Sequence, residues 1–138
     1  MTREEFSQLI AEARKNSGIK LVDICADARI LPINIERIEK AKHNFGMDKC
    51  LAFLRAINCS LNVTYCKITR NIKSYNDLIV FVLSVRVFVG TQRDFAKRIG
   101  VSHGVVGNNE RKSVVMSVDT FLKIAKAMQI EIKIEANE

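Results

Sequence analysis

At 138 residues the chain has room for one ordinary domain or two small ones, and an apolar fraction of 48% is enough to bury a core. One proline and six glycines speak against disorder and against a turn-rich β-sandwich. The formal charge of +7 is shared by both halves, with eleven Lys/Arg to eight Asp/Glu in 1–68 and eleven to seven in 69–138, and it suits a polyanionic partner without requiring one.

The first predicted helix opens at Thr2-x-x-Glu5, a capping-box pattern, and runs to about Lys15. Shorter helices follow at 20–28, 32–40 and 48–57, with Pro32 suited to a first helical position because its missing N–H costs nothing there. SLNVTYCKI, residues 60–68, alternates like a half-buried strand. Residues 69–75 read as a linker. Helices are then expected at 76–89, 92–99, 103–109 and 118–128, before IEIKIE closes the chain's pattern as a strand over 130–135. Val80 to Val89 is β-branched enough for propensity alone to make it a strand. An internal repeat places it opposite the first helix, so it is read as a buried, all-round apolar helix.

A shift of 71 residues lays 24–63 on 95–134 without a gap. Glu39/Glu110, Asp48/Asp119, Leu51/Leu122 and Ala56/Ala127 are identical, and Ile35/Val106 and Ile57/Met128 keep their physical type. The chain therefore divides into a unit at 1–68, the 69–75 linker and a unit at 76–138. The terminal strands of the two units are expected to pair with each other as a pseudo-two-fold dimer within one polypeptide. Pairing between chains is the competing arrangement.

In the second unit, Thr91-Gln92, Phe95-Ala96, Gly100-Val101-Ser102, Val106, Glu110-Arg111 and SVDTFLKIAKAMQIEIKI from Ser117 resemble the lambda and Cro repressor (XRE-like) helix-turn-helix family. The spacing has a physical reason. A small Ala96 lets two helices cross closely, Gly100 accepts a positive φ, and Ser102 is placed to cap the second helix. The resemblance implies a mainly α fold of two tandem lambda-repressor-like units, each with four or five short helices and a final strand.

It also implies double-stranded DNA as the partner. Ser102, His103 and Asn108 fall at the family's base-reading positions, and Thr91 with Gln92 at its phosphate clamp. Arg93, Arg111 and Lys112 would add salt-sensitive attraction. Gly104 and Gly107 make the reading helix soft, and Asn109 sits where the family is usually apolar. In the first unit Arg29 replaces the turn glycine and Leu31 the capping serine, so its reading face begins Leu31-Pro32-Ile33 and is expected to be buried against protein. Lys20, Asn34, Arg37, Lys40 and Lys42 are the residues there that could meet DNA as a secondary surface.

The expected function is transcriptional regulation by occupancy of duplex DNA, as a repressor. The alternative is a protein-interaction module, such as an antitoxin or phage-derived adaptor, with a protein partner meeting the first unit; a homodimer is also left open. No nucleophile–base pair, carboxylate pair or phosphate loop points to an enzyme, and no cofactor is implied. Nine aromatic residues are too few for an RNA-stacking platform. Cys25, Cys50, Cys59 and Cys66 form no C-x-x-C and accompany only two histidines, so they are read as buried, reduced thiols rather than metal ligands. The strongest apolar run, Leu78 to Val89, has twelve residues and contains Arg86, too short to cross a bilayer. With no apolar leader after Thr2, a cytoplasmic location and no membrane partner are expected.

Overall fold

The computed structural model describes residues 1–137. Two runs of four helices each end in a strand. The first run is α1 (Arg3–Ser17), α2 (Leu21–Ala28), α3 (Pro32–Glu39), α4 (Met47–Ala56) and β1 (Cys59–Tyr65). After β2 (Ile68–Ile72) the second run is α5 (Tyr75–Val89), α6 (Gln92–Ile99), α7 (His103–Glu110), α8 (Val118–Met128) and β3 (Glu131–Ala136). The protein is therefore mainly helical with one small antiparallel sheet, ordered β2-β1-β3. Each predicted helix is present with its ends within two residues of expectation.

Local chemistry explains the ends of the two long helices. Thr2 and Ser74 each accept from the third helical N–H, of Glu5 and Asp77, whose carboxylates accept in return from the cap N–H groups. Gly18 and Gly90 terminate the same helices at φ 68° and 145°.

One core runs through both units. Phe6, Phe53, Phe95 and Phe121 are fully buried, and Phe6 and Phe121, from different units, lie with ring centroids 6.4 Å apart. Arg3 of α1 grips Asp119 of α8 through two hydrogen bonds of 2.9 and 2.5 Å, and this holds the Asp119 carboxyl below its ordinary pKa.

The units are joined backbone to backbone at two places, and both obey the 71-residue relation. Met47 N donates to Met116 O and Val118 N to Phe45 O, each at 2.8 Å, around the Gly46–Ser117 bridge. In the sheet, Leu61 faces Ile134, Val63 faces Ile132, and Asn62 faces Lys133. Positions 46 and 117, like 62 and 133, differ by 71, so residues facing themselves across the repeat mark a pseudo-two-fold line. The expected pairing of the terminal strands thus occurs within one chain.

Three expectations are corrected. The 69–75 linker holds most of β2, and the 60–68 strand stops at Tyr65. Cys66 and Lys67 turn there at φ 50° and 66°, a two-residue turn with both central residues left-handed, which closes a hairpin. Cys66 is therefore exposed rather than buried, and Cys25 is half-buried; Cys50 is buried, which pushes its thiol pKa up to about 12 and keeps it protonated. Finally, α5 is not buried all round. Leu78, Ile79, Phe81, Val82 and Val85 enter the core, but Val80, Val87 and Phe88 are 59%, 61% and 79% exposed.

Candidate nucleic-acid interface

The corner between α6 and α7 is built from backbone outward. Thr91 and Asp94 form a reciprocal capping box that starts α6, with bonds of 3.2 and 3.1 Å. The Asp94 carboxyl is held below its usual pKa by the Thr91 backbone N–H first and its hydroxyl second. The helix stops at Gly100, φ 79° and ψ 36°, where Gly100 N and Val101 N both donate to Ala96 O at 3.0 Å. Ala96 and Val106 are buried between the helices, so α7 leaves the elbow with its start outside.

Ser102, His103 and Gly104 at that start are all exposed. Ser102 occupies the cap position with φ −71° and ψ 151°, but its hydroxyl caps nothing, contrary to expectation. Its carbonyl alone is engaged, by Val105 N at 3.1 Å. The first N–H groups of α7 therefore face outward at the positive end of the helix dipole, the usual geometry for donating to an anion's oxygens. A Cβ added at Gly104 would meet nothing within 4 Å.

A second group gathers at the far end of α7. Arg86 of α5 holds Glu110 through two hydrogen bonds of 2.8 Å, and Gln92 Nε2 donates to the same carboxylate at 3.0 Å. Burial acts to raise the Glu110 pKa, but the hydrogen bonds from Arg86 and Gln92 outweigh it and leave the group below its ordinary value. Gly107 is buried because the side chains of Gln92 and Arg111 lie against it, each 3.1 Å from where a Cβ would be. Arg111 in turn donates to Asn108 Oδ1 at 2.7 Å. The buried Asn109 is polar for a local reason: its Nδ2 donates to Val114 O at 3.2 Å and ties down the following loop.

Of the residues read from the sequence, Thr91, Arg93, Ser102, His103, Arg111 and Lys112 are exposed, and Gln92 and Asn108 are half-buried. Gln92, Asn108 and Arg111 converge around Gly107. Ser102 and His103 sit toward the start of α7, roughly 6–8 Å from Gly107 along the axis at the helical rise per residue. Lys112 turns aside to Asn76 at the start of α5.

The first unit repeats the corner with different chemistry. Arg29 takes φ 56° and ψ 44°, the conformation Gly100 adopts, despite its side chain. Lys20 caps α2 with no side-chain bond, and Leu31 occupies the α3 cap position. Leu31 and Ile33 are 65% and 50% exposed, so the apolar face expected to be covered is open within this chain. Asn34 and Arg37 border a cleft whose other wall includes Val115 of the second unit. Lys40 is paired with Glu36 at 2.7 Å, while Lys20 and Lys42 are exposed.

Sequence reasoning missed the two arginine locks. Arg14 holds Glu39 with bonds of 2.6 and 3.0 Å, as Arg86 holds Glu110. Glu39 and Glu110 being among the few identities in the repeat was the available signal. The arginines escaped notice because α1 and α5 correspond at a shift of 72, the extra residue lying between Gly18 and Lys20. No protein-family model matches the chain, and comparison with curated proteins and with solved structures found no significant match. Among the described residues, no helix is long and apolar enough to cross a membrane.

Proposed function

We propose that the chain is a sequence-specific, double-stranded DNA-binding regulator made of two lambda-repressor-like helix-turn-helix units, with the second unit reading the major groove through α7. The observation that carries this reading is the outward start of α7. Ser102, His103 and Gly104 are exposed on a helix braced by α6 through a glycine elbow. In the proposed complex, the α7 N–H groups and the Thr91–Gln92 start of α6 meet phosphates, and His103 meets a base edge. Asn108 reads a base only if Arg111 releases its Oδ1, and the freed guanidinium can then take a phosphate. Occupancy of the duplex makes the protein a repressor in this reading.

Selection from a pool of random duplex DNA, repeated across salt concentrations, tests the proposal. An enriched motif should emerge and be lost with His103→Ala. Arg93→Ala should instead weaken all sequences alike and reduce the salt slope by about one. No enriched motif at any salt would sink it. A second reading, a protein-interaction module with lost DNA binding, is favoured by the open Leu31 and Ile33 on the first corner.

A further inference from the structure

We propose that the outer edge of β2 and the exposed stripe of α5 form one self-complementary surface through which two copies of this chain associate. This inference does not rest on DNA binding. The two edges of the sheet differ in chemistry. β3 carries Glu131, Lys133 and Glu135, an alternation of charges that resists a further strand. β2 shows only Arg70 as a charge, beside exposed Ile68, Thr69 and Asn71.

The direction of the backbone groups follows from the pairing. Asn137 N donates to Asn58 O, so the even-numbered residues of β1 bond toward β3 and the odd-numbered ones toward β2. Tyr65, Val63 and Leu61 face Ile68, Arg70 and Ile72. The N–H and C=O groups of Thr69 and Asn71 therefore point away from the sheet, and no group among the described residues takes them.

The apolar stripe adjoins that edge. Val80, Leu83, Ser84, Val87 and Phe88 follow helical spacing along one side of α5, about 12 Å long. Val80 and Ser84 share one cleft with Arg70 and Asn71, so the strand edge and the stripe are continuous. Ser84 already donates its hydroxyl proton to Phe81 O at 2.6 Å, which leaves little polar demand within the stripe.

A second copy fits both features at once. An antiparallel β2–β2 pair about a two-fold axis engages the outward groups of Asn71 on both sides and the outward N–H of Thr69, while the Lys73 N–H opposite Thr69 stays with Asp77 Oδ2 at 3.1 Å. Centred on Asn71, it sets Arg70 opposite Ile72 of the second copy and keeps the two arginines apart. Arg70 and Ile72 lie on the face that α5 covers, so the same axis brings the two α5 stripes together. The exposed apolar side chains offer on the order of 400 Å² per copy, about half of one partner's share in a standard interface. The strand edge and its flanks supply the remainder.

Sedimentation velocity on the full chain, from low to high micromolar concentration, tests this. The expected species has twice the mass of the 15.6 kDa chain. Phe88→Glu should return it to single-chain mass with unchanged far-UV circular dichroism. Thr69→Pro should do the same, because it removes an outward N–H without touching the ladder to β1. Val22→Glu, an exposed apolar position on α2, should leave the dimer intact. A wild-type chain that stays single throughout would overturn the proposal, whatever other protein or vesicle it binds. So would a dimer that survives both substitutions, or one that Val22→Glu dissolves equally.

Discussion

The two corners of this molecule share a backbone and differ in chemistry. Gly100 turns the α6–α7 elbow without steric cost, whereas Arg29 makes the same left-handed turn with a Cβ in the way. Thr91 and Asp94 cap α6 reciprocally; Lys20 leaves the start of α2 uncapped although Asp23 stands ready three residues on. Exposed Ser102 and His103 begin α7, while exposed Leu31 and Ile33 flank Pro32 at the start of α3. A repeated fold therefore tolerates loss of its local signals when packing holds the backbone. The first α4 and β1, fixed in the common core and sheet, supply that restraint.

The largest difference should appear at the arginine locks. Glu110→Ala strands Arg86 and frees Gln92, and should cost about 2–3 kcal/mol in chemical denaturation, less than for a fully buried pair. Glu39→Ala should cost less, because among the described residues Arg14 alone bonds that carboxylate through its side chain. The lock also has a pH signature. Glu110 has a lowered pKa when folded, so its contribution is complete above the ordinary carboxylate value of about 4.3. It fades as pH falls through the lower folded value. Glu110→Gln should flatten that acid limb in melts followed across pH, and an unchanged limb would place the loss elsewhere.

Exchanging the elbows sharpens the contrast at the next level. Gly100→Ala should destabilise by about 1–2 kcal/mol through backbone strain alone, since its added Cβ meets nothing within 4 Å. Arg29→Gly should stabilise by up to about 1 kcal/mol, the relief of strain being partly offset by unfolded-chain entropy. Urea titrations measure both, and equal effects of one sign would contradict the comparison.

Smaller effects follow at the caps. Thr91→Ala should cost about 1 kcal/mol, while Lys20→Thr completes a Thr-x-x-Asp box and should add roughly 0.5–1 kcal/mol. Gly104→Ala, facing open space, should raise stability by up to about 1 kcal/mol. Thermal melts rank the three.

Much of this architecture was legible in the residue pattern. The capping box at Thr2, the glycine at 100 and the 71-residue repeat placed the helices, because each is a local rule or a direct internal comparison. β2 was not legible: its turn uses Cys66 and Lys67 at positive φ, where Asn-Gly would have announced a hairpin. The open face of α5 was hidden by its composition, since valines and phenylalanine on every side read as burial. Ser102 matched a capping position by sequence, but its hydroxyl makes no cap bond. The Arg14 and Arg86 locks join residues 25 and 24 positions apart, beyond the reach of helical spacing.

The central claim, that the second corner and not the first meets DNA, is tested most directly by titrating a selected duplex into isotopically labelled protein and following backbone amide resonances. The largest shifts are expected at Thr91, Gln92, His103 and Gly104, with Leu31, Ile33 and Asn34 nearly still. Shifts centred on α3, or no shifts even at low salt, would contradict it.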